Sequence, residues 1–267
     1  MSAYLSLFRI RFINSIQYRA AAFAGMATQI GWAVMEIFAF AAFYRTNPAA
    51  FPMELSQTVS YIWLQEAFLV LFGGLIASNN ISEAIETGSI AYELVRPMDI
   101  YGRWACQFVA GRFAETGLRC LPILIAAFVA PEPYRLSLPP DIFTFALTLV
   151  SAVFAVGVTV GFAMLVYITV IYTLSFRGTR LVFGNLSIFL SGAIVPLPFF
   201  PAPVRAVVEL LPFAAMQNMP FRIYCGNITG AGVFSGILLQ VLWCGALYAA
   251  GRAALRRALK RVVTNGG

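Results

Sequence analysis

A few polar side chains lie where the surrounding sequence is almost wholly apolar: Gln29 and Glu36, Gln65 and Glu66, and Glu115 with Arg119. Ionised groups in hydrocarbon are costly, so such residues turn toward protein or water and form interhelical pairs or a polar path. Glu115 and Arg119 stand four apart in the favourable helical order and read as a structural pair, with Glu66 as another partner for the arginine. Glu36, Gln65 and Glu66 are the candidates for a translocation path, with pairing between helices as the competing role. No catalytic set accompanies them. The chain has no histidine, which removes His-based acid–base chemistry and His-ligated metal. Lys260 is the sole lysine, and it stands between Leu259 and Arg261, so the chain carries no G-x-x-x-x-G-K-[ST] phosphate loop. Cys106, Cys120, Cys225 and Cys244 form no C-x-x-C pair and offer neither a metal nor a redox signature.

The elements that must hold these residues follow from composition. Of 267 residues, 60% are apolar and only 11% charged, and the mean hydropathy is +0.81. A water-soluble domain carries about 25% charged residues, so this chain reads as all-α and embedded in a bilayer. Six runs suit spanning helices, near 20–44, 57–78, 112–130, 141–173, 181–198 and 231–251. The fourth run is about 48 Å long as a helix, against a hydrocarbon core of about 30 Å, so it must tilt, break near Gly157 and Gly161, or protrude. Gly157-x-x-x-Gly161 also permits close helix approach. With the N-terminus inside, thirteen basic residues fall on cytosolic segments and four outside, which places both termini in the cytosol. The net charge of +7 is thereby a topology signal spread over several loops, and no nucleic-acid partner is expected. The first 19 residues carry three arginines and no small-residue cleavage site, so no cleavable signal is expected there.

Four segments lie outside these runs. Residues 1–19 read as a surface helix, with Leu5, Phe8, Phe12 and Ile16 on one stripe. The 79–111 loop carries Glu83, Glu86, Glu93 and Asp99. Asn80 with Glu83 resembles a capping box, Gly88 suits a helix C-terminus, Pro97 biases Arg96 away from helix, and Asp99 can cap the next helix. The 196–230 segment holds six prolines around VRAVVELL, where Arg205 and Glu209 are spaced i,i+4, and it reads as an external re-entrant helix pair. The basic tail, 252–267, reads as a stop-transfer anchor with membrane lipid as its contact.

Glu86-Thr-Gly88-Ser-Ile90, Leu94-Val-Arg96-Pro97, Pro198-x-x-Pro201-x-x-x-Arg205 and Leu210-Leu-Pro212-Phe213 together resemble the membrane domains of type-2 ATP-binding-cassette exporters, over essentially the whole chain. The resemblance is nearest to a branch in which two permeases accompany one ATPase. It implies a permease of six spans in a bacterial cytoplasmic (inner) membrane, working as a homodimer or a paralogous heterodimer. It implies a coupling helix at 83–97, with Glu83, Glu86, Gly88, Ile90, Leu94, Arg96 and Pro97 as coupling residues seated on a separate cytosolic ATPase dimer. That partner would bind ATP and Mg, leaving this chain without cofactor and without enzymatic activity. Tyr92-Glu93 and Arg96-Pro97-Met98-Asp99 depart from the family pattern and imply a specialised partner surface. An ion-coupled transporter using Glu36 and Glu66 is the alternative, although no paired half-repeats are seen. A lipid-modifying enzyme lacks a convergent nucleophile, base or metal set.

Overall fold

The structure, a computed structural model, describes residues 2–16, 19–47, 51–73, 79–95 and 97–260, and every regular element among them is helical. The helices are α1 (Ser2–Ile16), α2 (Arg19–Thr46), α3 (Leu55–Ala67), α4 (Leu69–Phe72), α5 (Asn79–Glu86), α6 (Ile90–Leu94) and α7 (Ile100–Val129). They continue with α8 (Ile142–Thr173), α9 (Phe176–Leu190), α10 (Ala202–Val208), α11 (Asn218–Tyr224) and α12 (Ala231–Leu259). Three are long and apolar enough to cross a membrane by length and composition: Gly25–Thr46 within α2, then α8 and α12.

The other expected spans take different forms. The run at 57–78 is broken at Phe68, which leaves helical geometry (φ −109°, ψ 13°) between α3 and α4. The break lies just after Gln65 and Glu66. The run at 112–130 is the second half of a 30-residue helix, α7, whose Arg112, Glu115 and Arg119 make it more polar than a lone span. The run at 181–198 starts earlier, because Ser175 caps α9 by accepting from Gly178 N, and stops at Leu190. Gly192 then takes φ 76° and Pro196 and Pro198 prevent helical continuation.

α8 is the centre of the bundle, touching α4, α5, α7, α9, α11 and α12. Its 32 residues form one unbroken helix, so the glycines at 157 and 161 do not break it. They admit α12 instead. A Cβ on Gly157 would lie 2.7 Å from Cys244 Sγ, and one on Gly161 would lie 2.8 Å from Leu247 Cβ. Cys244 Sγ donates to Phe154 O at 3.2 Å across the same contact. Gln240, fully buried on α12, accepts from Ser151 Oγ of α8 at 2.9 Å and donates to Ala215 O at 2.9 Å. Asp141 caps the start of α8 through Thr144 N at 2.7 Å, and Leu174 ends it in the left-handed region (φ 48°), a costly place for a leucine.

Contacts sort the helix ends into two groups. Cys106 Sγ meets Tyr4 O at 3.5 Å, Arg252 meets Asp99 at 3.3 Å, and Phe176 N meets Glu86 at 2.7 Å, so the arginine-rich segments share one end. At the other end Tyr44 and Thr58 hydroxyls are 2.9 Å apart and Trp63 Nε1 donates to Tyr134 O at 2.9 Å. α1 lies along α7; of its expected stripe Phe8 and Phe12 are half-buried and Leu5 is exposed, while the Ile16 side chain lies outside the described residues. The 196–230 segment folds back as α10 and α11, and α11 packs on α8 and α3. Glu209 does not take Arg205 as its partner. It caps the end of α10 and pairs with Arg222 of α11 at 2.6 Å, while Arg205 donates to Pro198 O at 3.3 Å.

The α8–α12 contact is testable. Gly161→Leu is expected to lower stability by about 1–3 kcal/mol through overpacking, read as a lower melting midpoint of the detergent-solubilised chain. Gly245→Ala, where an added Cβ meets nothing within 4 Å, is expected to leave the midpoint unchanged or raise it slightly, since alanine favours a helix interior over glycine.

Candidate functional site

Two constellations contain the candidate residues. The first is a hairpin of α5 and α6. It folds because Gly88 takes φ 74° and closes α5, with Thr87 N donating to Glu83 O at 2.9 Å. The Thr87 hydroxyl adds a bond to the same carbonyl at 2.7 Å and lies 2.8 Å from Ser89 Oγ. α5 opens at Asn79, so Asn80 lies within the helix and not at its cap.

The hairpin is anchored on one side and bare on the other. Ile81, Ile85 and Ile90 are buried in a core with Trp104 of α7, Tyr167 of α8 and Phe176 of α9. Burying each such side chain contributes about 1.5–3 kcal/mol. Glu86 Oε1 accepts from Phe176 N, the first amide of α9, at 2.7 Å. A carboxylate suits that amide, because the first N–H groups of a helix have no internal partner. Asp99 caps α7 through Gly102 N at 2.9 Å and pairs with Arg252 of α12 at 3.3 Å. α7, α8 and α9 therefore hold the hairpin, and α12 is tied to the start of α7 beside it. On its free side Tyr92 is 76% exposed and Val95 81%. Leu94, Glu83 and Pro97 are also exposed, whereas Arg96 lies outside the described residues. Of the sequence candidates, Ile90 and Glu86 bind inward, Gly88 makes the turn, and Glu83, Leu94 and Pro97 face outward.

The second constellation is a polar seam where α2, α3 and α7 meet. Gln65 Nε2 donates to Glu36 Oε2 at 3.3 Å, and Gln29 Nε2 donates to the Glu66 carbonyl at 2.9 Å. Gln29, Gln65 and Glu66 are buried. Gln29 Oε1, Glu36 Oε1, Gln65 Oε1 and Glu66 Oε2 have no hydrogen-bond partner among the described residues. Arg119 does not pair with Glu115 or Glu66 among the described residues. Its guanidinium packs against Gly25 of α2, where an added Cβ would lie 2.8 Å from Nη1.

Sequence reasoning missed Arg112 and Phe176. Arg112, buried on α7, donates to Val70 O at 2.6 Å and so serves a carbonyl of the broken segment, while its guanidinium lies 4.9 Å over Phe108. No local spacing marks that role. Phe176 follows a Ser-x-x-Gly start, which signals a helix but not the partner of its amide. Loss of the Glu86 acceptor is expected to loosen this joint: in Glu86→Ala the Phe176 amide should exchange about tenfold faster, the equivalent of about 1.4 kcal/mol. Glu86→Gln, which keeps an acceptor oxygen, should stay near wild type by hydrogen-exchange mass spectrometry.

No curated protein matches the chain. A family model described as ABC-2 family transporter protein matches residues 30–266. The match takes in most of α2 and all of α3 to α12, and so covers the hairpin, the glycine contact and the seam apart from Gln29. With apolar helices fit to cross a bilayer and a match over most of its length, the chain belongs to the ABC-2 transporter family, as a membrane permease component.

Proposed function

We propose that this permease crosses the membrane six times with both termini in the cytosol, works as a dimer, and exports its substrate when a separate ATPase subunit pushes on the α5–α6 hairpin. The observation that carries the reading is the bare apolar knob of Tyr92, Leu94 and Val95 on a base packed against α7, α8 and α9. A knob on a rigid base moves its base when pushed, and exposed apolar side chains on a cytosolic turn suit a groove in another protein. Glu83 beside them can set register with a basic partner residue. The six-crossing topology is supported by length: Leu55 to Phe72 in α3–α4 extends about 27 Å at 1.5 Å per residue, close to a core of about 30 Å. α9 with its following turn makes a shorter counterpart.

A second reading is favoured by the seam. Unpaired carboxyl and amide oxygens on Gln29, Glu36, Gln65 and Glu66 suit a protonatable path for an ion-coupled carrier. The two readings separate in reconstituted vesicles. Under the first, transport needs the ATPase subunit and nucleotide, and an imposed proton or sodium gradient without nucleotide moves nothing.

Tyr92→Glu with Val95→Glu should reduce co-purification of the ATPase subunit at least about tenfold, with expression of the permease unchanged. Retention of the ATPase at wild-type levels would remove the knob from the interface. Glu66→Gln should retain ATPase binding but lower transport; transport equal to wild type at equal expression would take Glu66 out of the path.

A further inference from the structure

A groove of about 680 Å³ runs down the flank of the bundle between α3–α4, the C-terminal end of α7, the N-terminal end of α8, and α11. Phe68, Phe72, Phe128, Phe145, Leu149 and Phe221 make most of its wall, and Asp141 is the one charged residue among those that line it. Its volume lies within the roughly 300–1,000 Å³ typical of small-molecule sites.

Three features decide what it fits. The first is depth. Along α8 the lining runs from Asp141 to Ala152, about 16 Å at 1.5 Å per residue, which is one leaflet of a core about 30 Å thick. The second is continuity with hydrocarbon. The rim residues Leu138 and Ile142 are 75% and 82% exposed, and Val153 on the adjoining face of α8 is 70% exposed, so the groove opens along a surface facing lipid tails. The third is charge. Thr144 N and Oγ1 donate to the two Asp141 carboxylate oxygens at 2.7 Å and 3.0 Å. The Phe143 N–H also bonds the carboxylate, which leaves one of its roughly four lone-pair sites free. Arg135, the nearby cation of the preceding loop, is engaged with Glu132 at 2.6 Å.

We propose that this groove is a binding site for one acyl chain of an ammonium-headed, zwitterionic phospholipid drawn from the leaflet at which α8 begins, with the head group at Asp141. The chain lies against Phe68 and Phe72 at the break between α3 and α4, and so touches the segment that leads into the hairpin. The site depends on the chain's residence in a bilayer and not on coupling to an ATPase.

The test uses the full chain in nanodiscs containing phosphatidylethanolamine with a tail-end diazirine, compared with phosphatidylglycerol carrying the same tail. Crosslinked peptides are mapped by mass spectrometry. Label should concentrate about tenfold on Phe68–Phe72 and Leu149–Ala152 relative to the lipid-facing surface around Leu238. Excess unlabelled phosphatidylethanolamine should displace it, an arm that needs no variant. Ala152→Phe or Leu149→Trp, either of which fills the groove, should abolish the label there. Asp141→Asn, which keeps the helix cap, should retain the label but remove an ethanolamine preference of about two- to fivefold, the range of one exposed ion pair. Label spread evenly over exposed apolar faces, or indifference to both filling variants, would each overturn the site. None of these outcomes depends on the ATPase, so a failed coupling scheme and a failed lipid site give different results.

Discussion

Backbone polar groups in hydrocarbon have no water to turn to, so each must find a partner inside the protein. The irregular parts of this bundle are built around that constraint. Where α3 gives way to α4, Arg112 serves the Val70 carbonyl. Where the chain turns back after α9, Arg205 serves Pro198 O, Gln240 serves Ala215 O and Trp243 serves Leu210 O, at 3.3, 2.9 and 3.0 Å. In the neighbouring α7–α8 loop Trp63 serves Tyr134 O. Long polar side chains reach from regular helices to the carbonyls that broken helices leave bare. Breaks and re-entrant turns are thereby held at defined places, and the wall of the lateral groove and the floor of the polar seam inherit that definition.

The same helices join membrane to hairpin. α8 carries the glycine contact with α12, the buried Gln240 bridge and, at its far end, Tyr167 stacked on Phe176 with ring centroids 6.0 Å apart. Phe176 is bound in turn to Glu86. The path from the centre of the bundle to the exposed Tyr92 and Val95 therefore runs through packed rings and one charge-assisted hydrogen bond. The seam lies on the other side, between α2, α3 and α7, and meets the hairpin through α7, whose first turn holds the Asp99–Arg252 pair.

Much of this architecture was legible from local chemistry. Gly88 closes a helix because its positive φ is easy for glycine, and Asp99 and Asp141 cap because their side chains reach an amide three residues on. The long apolar run at 141–173 could only be a helix, and its small residues at 157 and 161 could face a neighbour. Partners remote in sequence were not legible. Arg205 and Glu209 have ideal spacing, yet the chain reverses after Glu209 and brings Arg222 closer. Glu115 and Arg119 likewise have the favourable order, but Arg119 reaches across to Gly25. Glu86, read as a coupling residue, also accepts the first amide of a helix that starts 90 residues away, a partner no local spacing marks. Spacing reports on one helix at a time, whereas these choices are made between helices.

The length of α8 has a mechanical consequence. Gly161, in the close contact with α12, is about 18 Å from Thr173 at 1.5 Å per residue. A straight rod pivoting there by about 10° would sweep its tip through roughly 3 Å, more than half a helical turn. Levers work in both directions: a small rocking of the embedded half becomes a large stroke at the tip, and a large, weak stroke at the tip becomes a short, forceful one against α12.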